Sequence, residues 1–164
     1  PIGDTLPVLI AYNASVVLES TENKRIVNIN DFIKGYRKTA IHPDEIITGI
    51  IVPKPKTGMI IRSYKISKRK DLDISTVSAC FALQLNNDNF VQSIVIAYGG
   101  VAAATKRAIE AETFLIGKKW SQEIIDEAAK IVYNEFTPFS DVRAGEEMRR
   151  ISARNLLIKF FSEK

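Results

Sequence analysis

Three stretches decide the fold: MIIRSYKI (residues 59–66), STVSACFALQL (75–85) and FVQSIVIAY (90–98). Each is rich in β-branched and aromatic residues, and polar or glycine-containing segments bound them. Asn86-Asn87-Asp88-Asn89 reads as a turn, and Gly99-Gly100 closes the third stretch. Residues 59–98 are therefore expected to form an antiparallel meander.

Downstream the period changes to that of helices. Lys106 to Ile116 reads as a helix, with Thr105 as N-cap and Gly117 as stop. Ser121 to Phe136 reads as a second, capped by Ser121 and striped by Ile124, Ala128, Ile131 and Val132. A loop over Thr137-Pro138-Phe139-Ser140-Asp141 leads to a third, from about Ala144 to Phe161. Met148, Ile151, Ile158 and Phe161 are expected to share its apolar face.

Upstream, Leu6 to Ala11 reads as a short helix, with Pro7 in its first turn and Asp4 or Thr5 as N-cap. Residues 14–19 and 25–29 alternate as two hairpin strands, and Asn30 to Ile33 suggests one helical turn. Residues 46–52 form a further strand, stopped by Pro53. Pro53, Pro55 and Gly58 make 53–58 the best internal boundary. Strands followed by helices predict an α+β fold in two parts. Residues 1–57 complete one antiparallel subdomain, and residues 58–164 form a small antiparallel sheet packed with three helices.

The 164 residues are 46% hydrophobic and 26% charged, which is enough for a core without disulfides. One cysteine, Cys80, and one histidine, His42, exclude the usual zinc ligand sets. Cys80 lies in an apolar run and reads as a small hydrophobe, and His42 before Pro43 reads as surface. The net charge of +4 falls short of a nucleic-acid footprint. No run of 18 apolar residues spans a membrane. The cysteine count fits a reducing compartment, and a cytoplasmic setting is expected. The chain lacks an initiating Met and is expected to be a piece of something longer.

Three features invite a chemical reading. Arg62, Lys65, Lys68, Arg69 and Lys70 gather five positive charges, followed by Asp71 and Asp73. They suit either an anion site or a solvated strand end. Gly35-Tyr36-Arg37-Lys38-Thr39 suits stacking on a flat anionic ligand, or an ordinary exposed turn. Gly99-Gly100 lacks both GxGxxG and GK[ST], so a packing turn is the better reading. No GxSxG elbow is present. The residues taken one by one name no activity.

Taken in order, the segments resemble the flavin-binding part of the molybdenum hydroxylases. Pro1-Ile2-Gly3-Asp4 with Pro7 resembles that family's S-P-I-[GS]-D-x-x-P, and Gly35 to Thr39 resembles G-Y-R-K-T. Pro43 to Ile47 with Ile50-Ile51-Val52-Pro53 follows in register. Tyr64 to Arg69 resembles Y-K-x-S-K-R, and Asp71 to Ser75 resembles D-x-D-I-S. Tyr98 to Ala102 resembles F/Y-G-G-M-A with Val101 for Met, and Ser140 to Ala144 resembles S-D-x-R-A. The resemblance covers essentially the whole chain and is nearest to the bacterial xanthine dehydrogenase small subunit.

The resemblance implies an oxidoreductase module of purine catabolism. Electrons leave a substrate at a molybdopterin centre on another subunit or domain, cross two [2Fe–2S] clusters to FAD, and pass to NAD. Asp4, Ile47 and Lys65 are carried over as FAD contacts, and Tyr36, Arg37 and Asp71 as neighbours of the flavin and nicotinamide. Upstream lie the family's iron–sulfur cysteines, glycine-rich pyrophosphate loop and flavin-stacking aromatic. The present chain is expected to supply half of an FAD site and to bind FAD weakly alone. Alternatives are a flavoprotein subunit of a carbon monoxide, aldehyde or aromatic hydroxylase, and a non-catalytic subunit-docking domain.

Overall fold

The computed structural model describes residues 3–69 and 72–164. Its centre is β7 (Val77–Leu85), a strand buried along most of its length. β7 pairs antiparallel with β6 (Ile60–Ile66) on one side and β8 (Val91–Gly99) on the other. The short β9 (Lys106–Arg107) closes the sheet in the order β6-β7-β8-β9.

Burial on both faces follows from what β7 presents to each side. Val77, Ala79, Phe81 and Leu83 join the main core beneath the helices. Cys80 and Ala82 pack toward α1 (Thr5–Ala11), where their small size lets the helix come close. Over the first face lie α3 (Ile109–Leu115), α4 (Gln122–Glu135) and α5 (Glu146–Ser162). Phe81 anchors that core, with ring centroids 5.2 Å from Tyr98 and 5.4 Å from Phe160. The buried Tyr98 hydroxyl donates to the Ala153 carbonyl of α5 at 2.8 Å, so the ring is packed without an orphaned polar atom.

The N-terminal part forms a second sheet. β1 (Ser15–Glu19) lies between β2 (Lys24–Asn28) and β5 (Ile46–Ile51), with all pairs antiparallel. Val16 and Leu18 pack with Ile10 of α1 and with Ile29 and Phe32 of α2 (Ile29–Phe32). Ala97 of β8 belongs to the same cluster, which joins the two sheets through α1. The α+β reading of the sequence therefore holds, with antiparallel sheets, α3 to α5 on one face of the larger sheet and α1 joining the two.

Three readings need correction. On α4 the buried face is Ile125, Ala128, Ala129 and Val132, so Ile124 and Ile131 of the expected stripe sit at its rim. The helix expected from Lys106 begins at Ile109, because Lys106 and Arg107 pair as β9 with Tyr98 and Ala97. Thr105 is consequently not its N-cap, a position held by Ala108. On α5 the buried face is Arg149, Ser152, Ala153, Leu156, Leu157 and Phe160. Met148 is 48% exposed, and Ile151, Ile158 and Phe161 sit at the rim. The apolar spacing misplaced the face because two polar residues, Arg149 and Ser152, occupy it. Gly35 to Thr39 is an exposed turn with local order: β3 (Ile33–Gly35) and β4 (Lys38–Thr39) make a small hairpin around Tyr36 and Arg37.

Candidate functional site

Asp4 precedes α1 at the N-cap position, yet its side chain makes no capping bond to the helix. Its carboxylate turns to the main sheet instead. Lys65 Nζ of β6 donates to Asp4 Oδ2 at 2.8 Å, and the Ser75 hydroxyl donates to Asp4 Oδ1. Burial pushes the Asp4 carboxyl up, but the bonds from Lys65 and Ser75 outweigh it and hold the group below the ordinary range. Asp4 and Lys65 remain accessible, with side chains 45% and 40% exposed. This is an anionic–cationic pair at a surface, anchored by a buried hydroxyl.

Next to Ser75 lies a recess of about 30 Å³, lined by Tyr36, Gly100, Phe139, Asp141, Arg143 and Arg149 among others. Its space suits a single water. Arg149 is buried at 3% exposure and builds the wall. Its Nη1 donates to the carbonyls of Thr76 at 2.6 Å and Gly100 at 2.8 Å, and its Nη2 donates to Asp141 Oδ1 at 2.8 Å. Burial raises the Asp141 carboxyl, and backbone bonds from Ala144 and Arg143 with the Arg149 pair bring it below its usual value. Gly100 has φ +82°, and a Cβ there would collide with the Thr76 carbonyl oxygen. The double glycine is thus a close-packing turn.

The other sequence-derived residues are placed as follows. Tyr36 and Arg37 cap the β3–β4 hairpin, with the Arg37 guanidinium 5.3 Å from the Tyr36 ring centroid. Arg37 has φ 54°, a left-handed conformation unusual outside glycine. Tyr36 reaches the recess. Ile47 lies on β5 of the other sheet and is 51% exposed. Asp71 lies outside the described residues. The structure thus joins Asp4 to Lys65 and puts Tyr36 beside the Ser75 recess, while Ile47 stands apart.

Reading the sequence missed Ser75, Asp141 and Arg149 as a linked group. Asp141 carried a signal, since it sits in Ser140-Asp141-Val142-Arg143-Ala144. Arg149 carried none, because an arginine in a helix reads as solvated. Lys70 lies outside the described residues, and three of the other basic residues of the cluster have separate partners. Lys65 pairs with Asp4, Lys68 donates to the Val142 carbonyl at 2.7 Å, and Arg69 meets Asp73 at 3.5 Å. His42 is exposed as expected, with its Nδ1 3.6 Å from Glu45, which also pairs with Arg25. Cys80 is buried, and burial pushes its thiol up to about 11.

A larger open cleft of about 870 Å³ lies elsewhere, between residues 28–35 and the segment 103–110, with Glu135 and Phe136 also in its lining. Burial raises the Glu135 carboxyl, against bonds from the Glu110 and Ala111 amides. Among the described residues no group of three or more His, Cys, Asp or Glu is placed to hold a metal ion. No described helix is long and apolar enough to cross a membrane.

Edge strand β5 exposes Ile46, Ile47, Ile50 and Ile51 at 47–66%, and Ile26 of β2 is 59% exposed. Register places Ile46 opposite Glu19 and Ile51 opposite Ser15, on the face with Val17 and Ile26. Ile47 and Ile50, opposite Leu18 and Val16, fall on the other face. A strand that is apolar on both faces, with an open edge, is shaped for further coverage.

Comparison with known proteins fits these features. Residues 1–55 match a family model described as the FAD binding domain in molybdopterin dehydrogenase. Residues 62–164 match the CO dehydrogenase flavoprotein C-terminal domain. Xanthine dehydrogenase of Blastobotrys adeninivorans is 36% identical over 99% of this chain and 12% of its own length. The glyceraldehyde dehydrogenase medium chain of Sulfolobus acidocaldarius is 34% identical over 99% of this chain and 57% of its own. Among solved structures, a cyanide-inactivated Cu,Mo-CO dehydrogenase matches with TM-score 0.86 and 29% identity, covering 95% of this chain and 54% of that one. The chain therefore spans a small part of the xanthine dehydrogenases and little more than half of the shorter flavoproteins.

Proposed function

This chain belongs to the FAD-binding flavoprotein family of the molybdenum hydroxylases, and on that premise we propose that it carries electrons from iron–sulfur clusters through FAD to NAD. The observation that carries the reading is the Asp4–Lys65 pair, accessible and anchored by Ser75. FAD, when bound, supplies the two-electron chemistry that links one-electron carriers to a hydride acceptor.

The residues present fit half of such a site. Lys65 has three N–H donors and spends one on Asp4, which leaves donors for cofactor oxygens. Its positive charge favours a more negative, reduced cofactor. Ile47 offers an apolar surface for a flat ring system, and Tyr36 with Arg37 offers an aromatic and a cation beside the Ser75 recess. Asp71 joins this proposal on the family pattern. The half-exposed β5 fits coverage by a preceding part of the FAD-binding domain, with a boundary near residue 57 separating it from the C-terminal domain.

The proposed partners are a molybdopterin-bearing subunit or domain and a [2Fe–2S] module. Xanthine as the substrate and a cytoplasmic setting complete the proposal. The match to a glyceraldehyde dehydrogenase medium chain over 57% of its length favours aldehyde oxidation as the second reading. The substrate is chosen at the molybdenum centre in either case.

The test is a visible spectrum of the flavoprotein extended upstream, followed by anaerobic addition of NADH. Flavin bands that bleach on NADH are expected. Flavin bands that ignore NADH yet respond to another acceptor's reduced form would replace NAD, and a colourless protein that ignores added FAD would leave subunit docking as the reading.

A further inference from the structure

From the contacts of Asp4, we infer that Ser75 is a positioning residue of the flavin site, fixing the charge balance between Asp4 and Lys65. The inference rests on the reading above and deepens it. Asp4 and Lys65 both have side chains 40% or more exposed and reach toward each other from α1 and β6. Two exposed, rotatable charges do not by themselves hold a single geometry in water. Ser75 differs, being only 5% exposed.

The backbone immediately after it is tied twice. The next residue, Thr76, donates its N–H to the Ile66 carbonyl at 2.7 Å, beside Lys65 on β6. The Thr76 carbonyl accepts from buried Arg149 at 2.6 Å, which links the segment to α5 and to Gly100. The Ser75 hydroxyl is therefore a fixed donor, and the Asp4 carboxylate is oriented by it.

The consequence is electrostatic. A carboxylate that accepts the Ser75 hydroxyl is a weaker base and draws less on Lys65. More of the Lys65 charge is then felt by a neighbouring cofactor. Ser75→Ala removes the donor with little change in volume. Asp4 becomes more basic, engages Lys65 more fully, and the reduced cofactor loses stabilisation.

The experiment uses the FAD-loaded flavoprotein and reads two quantities. In Ser75→Ala, the Asp4 carboxyl, followed by carbon NMR, should titrate at higher pH than in the wild type. The two-electron flavin midpoint should fall, with about a tenfold change in the oxidised-to-reduced ratio, or about 30 mV. Asp4→Asn, which removes the counter-charge on Lys65, should move the midpoint upward, and Lys65→Gln should move it downward. A Ser75→Ala midpoint equal to wild type, with Asp4→Asn still shifted, overturns the role of Ser75 and leaves the flavin site standing. If none of the three variants moves the midpoint, the pair is not beside the flavin, and the role of Ser75 falls together with the placement of Asp4 and Lys65 at the cofactor. Should Ser75→Ala not fold, Ser75→Cys, a weaker donor of similar size, must shift both quantities in the same directions by less.

Discussion

At the scale of single residues, the structure puts its charges where they are answered. Glu45 is the clearest case. Arg25 Nε and Nη2 donate to its two carboxylate oxygens at 2.5 and 2.7 Å, and Nη2 also reaches the Ala40 carbonyl at 2.6 Å. The Arg25 bonds hold the Glu45 carboxyl at about 2, against an ordinary value of 4.5. A depressed carboxyl contributes stability above its unfolded pKa and loses it as pH falls through the folded one. The melting temperature of Glu45→Gln is therefore expected to lie below wild type at neutral pH, with the gap closing between about 4.5 and 2. A gap that stays constant with pH contradicts the assignment. Gly100 makes a second prediction. Its positive φ and the Thr76 carbonyl leave no room for a Cβ, so Gly100→Ala should destabilise by on the order of 3 kcal/mol, read by urea denaturation.

Elements carry a different kind of information. α5 is amphipathic only once Arg149 is counted among its inward residues, where its guanidinium finds three oxygens. Farther along the same face, Phe160 is fully buried against Phe81 and Trp120. Phe160→Ala is expected to cost about 3–5 kcal/mol, a fall of roughly 10 °C in Tm for a chain of this size, measured by calorimetry. β5 gives the opposite case, an element whose apolar residues find too little to pack on. Replacing Ile46 and Ile51 by Lys should alter stability by only about 0.5 kcal/mol each. The same pair of changes should reduce self-association of the chain at high concentration, read by light scattering behind a sizing column. A wild-type chain that stays monomeric at every concentration removes that expectation.

The molecule as a whole joins two sheets through α1, and the chemistry gathers where that junction meets the C-terminal helices. Asp4 comes from the start of α1, Lys65 from β6, Ser75 from the entry to β7, and Arg149 from α5. Tyr36 arrives from the small hairpin of the N-terminal part. If, as proposed, these residues supply one half of the FAD contacts, the chain should bind that cofactor poorly. Titration of this 164-residue chain with FAD should show weak or no binding, whereas the chain extended upstream should take up FAD tightly. Tight stoichiometric binding by the short chain would show that the contacts present here suffice.

The strands were legible in the sequence because their signals are local. Runs such as Val77 to Leu85 and Ile94 to Tyr98 combine β-branched and aromatic residues between Asn- and Gly-rich turns, and backbone sterics act residue by residue. The family pattern around Asp4, Tyr36 and Lys65 was equally legible, since it is carried by short motifs in order. Tertiary structure decided what depends on distant partners. β9 replaced the first helical turn expected at Lys106 because β8 offered its edge. The buried face of α5 shifted because Arg149 found the Thr76 and Gly100 carbonyls some 73 and 49 residues away. Asp4 left the helix it precedes for Lys65 and Ser75, which lie 61 and 71 residues further on. Periodicity records which residues are apolar, but a buried polar group is satisfied only by the chain that folds back to meet it.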